Sequence, residues 1–130
     1  MIDFGIRKAL RVTYDEALSS VPAALKSEGF GVLTEIDIQS TLKQKLGVDF
    51  RRYKIFGACN PPFAHEALQA ELEIGLMLPC NVVVHEGDDG RSVVLAVDPT
   101  KTMAGTGNAR LAELAEAVKE RLSRALAKLE

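Results

Sequence analysis

The sequence predicts one α+β domain, a largely antiparallel sheet with its helices packed on one face. Segments with period-two apolar spacing alternate with segments of helical spacing, in the order strand, helix, strand, short helix, strand, helix, strand, strand, helix. The two consecutive strands are joined by Gly87-Asp88-Asp89-Gly90, a tight reversal that pairs them as a hairpin. The chain is 130 residues long, 47% hydrophobic and 26% charged, which is the size and balance of one globular unit, so residues 1–130 are read as a single domain.

Each element has a local reason. Phe4, Ile6, Leu10 and Val12 alternate with Arg7, Ala9 and Arg11, the period of a half-buried strand in which Lys8 is the misfit on the apolar side. Thr13-Tyr14-Asp15-Glu16 is a capping box, and the helix it starts carries Ala17, Val21, Ala24 and Leu25, with Pro22 inside it and Gly29 to stop it. Gly31 to Ile36 reads as a strand. Asp37 then caps a short helix with Ile38, Leu42 and Leu46 on one side and Gly47 at its end. Arg52 to Cys59 is the next strand, followed by Asn60 and Pro61 as cap and first residue of a helix through Leu72. Asn81 to Glu86 and Ser92 to Val97 form the hairpin. Thr100 to Gly107, with two glycines, reads as a loop. From Asn108 onward Leu111, Leu114, Ala115, Val118, Leu122, Ala125, Leu126 and Leu129 keep one helical stripe, with Glu116/Lys119 and Glu120/Arg124 as exposed pairs.

Charge and motifs exclude several functions. Sixteen basic and 18 acidic residues give a net charge of -2 with no polybasic block, so neither nucleic acid nor an anionic membrane surface is an expected partner. No segment approaches about 18 uninterrupted apolar residues, and Met1-Ile2-Asp3-Phe4 has no signal-peptide character; a cytoplasmic location is expected. In that compartment Cys59 and Cys80 are expected to be reduced. Gly105-Thr106-Gly107 lacks the lysine and hydroxyl of a phosphate loop, and no Gly-x-Ser-x-Gly, His-Glu-x-x-His or paired Cys-x-x-Cys motif occurs.

The residues that remain for chemistry are few. Cys59 ends a strand just before a helix start, where the helix dipole favours a thiolate; it is either a nucleophile or ligand, or a small buried hydrophobe. Cys80 has the same alternatives. Side by side the two thiols would make a redox pair or half of a soft-metal site, although their spacing matches no zinc motif. Asn60 and Asn81 each neighbour one of these thiols. Glu35 and Asp37 share a strand face, an arrangement open to acid/base chemistry or to a divalent cation, or else to a helix cap at Asp37 and an ion pair of Glu35 with Arg52 or Lys54. His65 reads as a surface histidine. His85 is out of phase with Cys80, which disfavours a shared chelate.

Glu35-Ile36-Asp37, Leu42-Lys43-Gln44-Lys45-Leu46-Gly47, Tyr53-Lys54-Ile55-Phe56-Gly57-Ala58-Cys59-Asn60-Pro61 and Ile74-Gly75-Leu76-Met77-Leu78-Pro79-Cys80-Asn81-Val82-Val83-Val84-His85-Glu86 resemble the domain of unknown function 302 family. The resemblance covers about Gly29 to Asp98, and Cys-Asn-Pro followed by Pro-Cys is its most distinctive part. It implies a fold of the TATA-binding-protein-like class, β-α-β-β-β-β-α plus short helices, and a homodimer. It supplies no activity and identifies no cofactor or metal. Pro62 after Pro61 departs from the family pattern. The function expected is a small-molecule or metal-binding module with Cys59, Asn60, Cys80, Glu35 and Asp37 as its site. The alternatives are a thiol-dependent enzyme or redox protein using Cys59, and a homodimeric interaction protein without a chemical site.

Overall fold

In the computed structural model, which describes residues 2–130, strand β1 (Gly5–Thr13) leads into α1 (Tyr14–Ser27), β2 (Gly31–Asp37), α2 (Ile38–Leu46) and β3 (Tyr53–Cys59). Helix α3 (Pro61–Ala70) and a 3₁₀ segment (Leu72–Met77) precede the hairpin of β4 (Cys80–Glu86) and β5 (Arg91–Val97). A short helix α4 (Pro99–Thr102), a 3₁₀ turn (Ala104–Thr106) and the long α5 (Ala109–Ala127) complete the chain. The five strands form one antiparallel sheet in the order β1-β5-β4-β3-β2, the α+β architecture expected.

Local capping does what the sequence predicts at three helix starts. The Thr13 hydroxyl accepts from the Glu16 amide at 3.2 Å, Asp37 accepts from the Ser40 amide at 3.0 Å, and Asn108 accepts from the amides of Arg110 and Leu111 at 2.9 and 3.2 Å. Each bond satisfies an otherwise unpaired first-turn N–H, worth about 1 kcal/mol.

Because β1 and β2 sit at opposite edges, α1 crosses the sheet diagonally and touches β1, β2, β4 and β5. It buries Ala17, Val21 and Leu25 with Leu122, Ala125 and Leu126 of α5 against Leu10, Phe56, Val82, Val84 and Val94. A second cluster, of Ala67, Ile74, Met103, Leu111, Leu114 and Ala115, lies between α3 and the first turns of α5. The opposite sheet face carries a cross-strand row in register, Ile36, Ile55, Val83 and Leu95. Ile36 stays 46% exposed. On the next row His85 stacks on Tyr53, with centroids 5.6 Å apart and planes 7° from parallel.

Lys8 is explained by what lies above it. Its ammonium donates to the carbonyl oxygens of Leu126, at 3.2 Å, and of Leu129, so a cation on the apolar side of β1 closes the C-terminal end of α5. The helix dipole favours a positive charge there by about 0.3–1 kcal/mol.

Two elements and one ion pair differ from expectation. Helix α3 ends at Ala70 rather than Leu72, because Glu71 turns extended and its carboxylate accepts from the Glu73 amide at 3.1 Å, starting a new turn that leaves Leu72 exposed. Within 100–107, two short helical turns replace the loop. Asp98 accepts from the Thr100 amide at 3.0 Å, and Pro99 fits the first helical position. Lys119 pairs with Asp98 at 3.1 Å rather than with Glu116, a buried carboxylate being the stronger attractor. Burial opposes ionisation of Asp98, but bonds from Thr100 and Lys119 outweigh it and hold the carboxyl below its usual range.

Glu28 ties the end of α1 to the end of α5 through Lys128 at 2.7 Å and Arg124 at 2.9 Å, and those bonds lower its pKa. A lowered pKa means that the contribution is present above the ordinary range near 4.5 and is lost as pH falls through the depressed value. Chemical denaturation at about pH 6 and about pH 3 is therefore expected to show a larger acid loss in the natural chain than in Glu28→Gln. Equal losses would remove Glu28 as a source of acid sensitivity.

Candidate functional site

Strand β3 ends and β4 begins at the same rim of the sheet, with Ala58 opposite Cys80 in register. Cys59 follows Ala58, and both thiols line one half-open cavity of about 300 Å³. Phe30 just before β2, Leu33 within it, α3, Met103 and the first turns of α5 close its other sides. The two cysteines are free thiols, Cys59 partly exposed and Cys80 buried. Burial, and then the proximity of Cys59, pushes the Cys80 thiol up to about 11, so it stays protonated at neutral pH. An attacking thiolate would have to come from Cys59.

Asn60 is 7% exposed and also lines the cavity. It occupies the N-cap position of α3, as predicted, but its side chain does not cap. Its Nδ2 donates instead to the carbonyl oxygen of Glu28 at 3.3 Å, its one side-chain hydrogen bond among the described residues. That bond fixes the α1–β2 turn against the start of α3. The turn needs Gly29, whose φ of +88° suits glycine and where a Cβ would stand 3.0 Å from Asn60 Nδ2. At the same rim a Cβ on Gly57 would come within 2.2 Å of Thr34 Oγ1 and 2.8 Å of Pro79 Cγ, so the missing side chain lets β2 and the entry to β4 close on β3.

The two carboxylates of the expected site are elsewhere. Glu35 and Asp37 do share a strand face, opposite Phe56 and Lys54. Glu35 is exposed with Lys54 Nζ 4.0 Å away, and Asp37 is the cap of α2; neither lines the cavity. Of the five residues expected to form one site, the cavity brings together Cys59, Asn60 and Cys80, while strand length carries Glu35 and Asp37 along β2 away from the rim. Among the described residues no three His, Cys, Asp or Glu side chains converge as metal ligands. Asn81 and His65 are exposed, and His85 is held by Tyr53.

Phe30, Met103, Leu114, Ala115 and Val118 were absent from the expected site. Their apolar spacing was visible. Nothing local distinguishes the turns of α5 that pack on the sheet from those that roof a cavity.

Sheet, helical layer and rim cavity define a small α+β domain with two thiols and one buried amide at the ends of adjacent strands. The profile for the domain of unknown function DUF302 matches residues 6–129, and the chain belongs to that family. The match takes in the Gly29 to Asp98 core together with the flanking β1, α1 and α5, which pack with it in one hydrophobic core. The chain is similar to the crystal structure of an uncharacterized conserved DUF302 protein from Bacillus stearothermophilus, at 28% identity and a TM-score of 0.92. That likeness covers 99% of this chain and 100% of the other. No curated protein matches the chain at a significant level.

Proposed function

We propose that the chain is a small-molecule binding protein whose site is the rim cavity, with Cys59, Asn60 and Cys80 as its polar wall. The observation that carries this reading is a cavity of about 300 Å³, within the usual ligand range, on which three of the few polar side chains named from sequence converge. Free thiols fit a reducing, cytoplasmic setting. A thiol enzyme finds less support, since one of its two sulfurs is held protonated and the cavity brings no histidine or carboxylate to serve as base. No helix is long and apolar enough to cross a membrane among the described residues.

A second reading rests on the row Ile36, Ile55, Val83 and Leu95, an apolar sheet face opposite the helical layer. A second copy of the chain would bury that row isologously as a homodimer. Native mass spectrometry under reducing conditions tests both. The expected species has twice the 14.1 kDa chain mass and carries a small molecule released on activation, which Ala115→Leu loses by filling the cavity. A chain bare even after incubation with a hydrophobic probe would overturn the binding reading, and a monomer at micromolar concentration the dimer.

A further inference from the structure

We infer that the rim cavity selects an uncharged, largely hydrocarbon ligand, an alkyl or aryl group ending in one small polar function; this rests on the binding reading above. None of the described residues that line the cavity is Asp, Glu, Lys, Arg or His. An ion entering it would lose hydration without gaining a counter-ion, which apolar walls penalise heavily.

The neighbouring charges are already engaged outside the lining. Arg121 lies over the Phe63 ring at 5.4 Å and donates to the Glu28 carbonyl oxygen at 3.4 Å, and Lys119 is paired with Asp98. The one strong hydrogen-bonding side chain in the wall is Asn60, more than nine-tenths buried, whose amide nitrogen is committed to Glu28. Its Oδ1 has no partner among the described residues, so the wall offers an acceptor to a hydroxyl, amine or amide N–H. The Cys80 thiol, which lines the same cavity, is neutral and adds a weak donor. Size sets the rest: about 300 Å³ equals roughly ten waters at liquid volume, room for a chain of about ten carbons or a bicyclic ring. The apolar surface continues at the mouth, where Leu33 and Leu68 line the cavity yet stay 66% and 37% exposed.

The experiment uses the full chain and the neutral bicyclic fluorophore 1-naphthylamine, displaced by decan-1-ol, decanoate or decyltrimethylammonium. Decanol is expected to displace the fluorophore, and each ion to do so at least about tenfold less well. Leu33→Lys, a change at an exposed position, is expected to bring decanoate within reach of decanol by supplying the missing counter-ion. Ala115→Leu is expected to abolish fluorophore binding; should that variant fail to fold, Ala64→Leu, at the partly exposed wall, replaces it. Decanoate or decyltrimethylammonium binding as well as decanol in the natural chain would overturn the assignment to neutral ligands and leave the cavity as the site. No fluorophore binding, or binding unchanged in a folded filled-cavity variant, would overturn the cavity reading itself.

Discussion

Replacing Phe56 by Ala is expected to lower stability by about 3–5 kcal/mol, the largest loss from a single truncation in this chain. Phe56 is 1% exposed at the middle of β3, opposite Val82 across the ladder and beneath the two helices that cover the sheet. It belongs to the core cluster built from α1, α5 and strands β1, β3, β4 and β5, and strands held by ladder hydrogen bonds cannot close into the gap, so the cavity term adds to the lost transfer energy. Set against a domain stability of about 5–15 kcal/mol, the loss is about a fifth or more. Urea denaturation reads it as a lower midpoint at unchanged slope. Leu33→Ala, at a position 66% exposed, is the matched control and should stay within about 0.5 kcal/mol. A Phe56→Ala loss below about 1 kcal/mol would mean that the sheet and helices do not pack as described.

The second large effect concerns Cys80. A thiol raised from 9.0 to about 11 by burial presents about a hundredfold less thiolate at pH 8 than the same thiol in the unfolded chain. Iodoacetamide labelling followed by peptide mass analysis should therefore show Cys80 reacting at least about a hundred times more slowly in the native chain than in urea. Labelling at the unfolded rate would place Cys80 outside the cavity wall. The same shift has a stability consequence with a definite sign. The folded value lies above the unfolded one, so Cys80 contributes fully below about 9 and its contribution is lost as pH rises toward about 11. The difference amounts to roughly 2–3 kcal/mol across that window. Cys80→Ala should flatten it, and an alkaline loss unchanged in that variant would assign the effect to other groups.

The sequence by itself determined the order of the strands and main helices and most of their ends, because those depend on neighbours within four residues. Thr13, Asp37 and Asn108 cap the helices that follow them, Gly29 and Gly47 take the left-handed conformations that end α1 and α2, and the reversal at Gly87 to Gly90 makes the hairpin. The thiols and Asn60 were legible as candidates for the same reason, as residues whose chemistry needs explaining at a strand end. Where local signals competed, reading them singly failed: Glu71 ended α3 early, and Asp98-Pro99 started a turn in a stretch that its glycines marked as loop.

Tertiary structure alone decided which residues meet. Lys8 looks misplaced until α5 arrives, 118 positions later in the chain, with an unsatisfied C-terminal carbonyl. Asn60 has the identity of a cap, but Pro61 and Pro62 leave the first two helical positions without an N–H to cap, and its Nδ2 donates to Glu28, 32 positions earlier in the chain. Glu35 and Asp37 keep the shared face that their spacing dictates, yet lie away from the thiols, since a strand's period sets facing and not which end of the sheet a residue occupies. The cavity is the extreme case: its wall draws on residues from Phe30 to Val118. Its shape and lack of charge follow from how a sheet, α3 and α5 close on one another, a non-local packing outcome that no window of the sequence encodes.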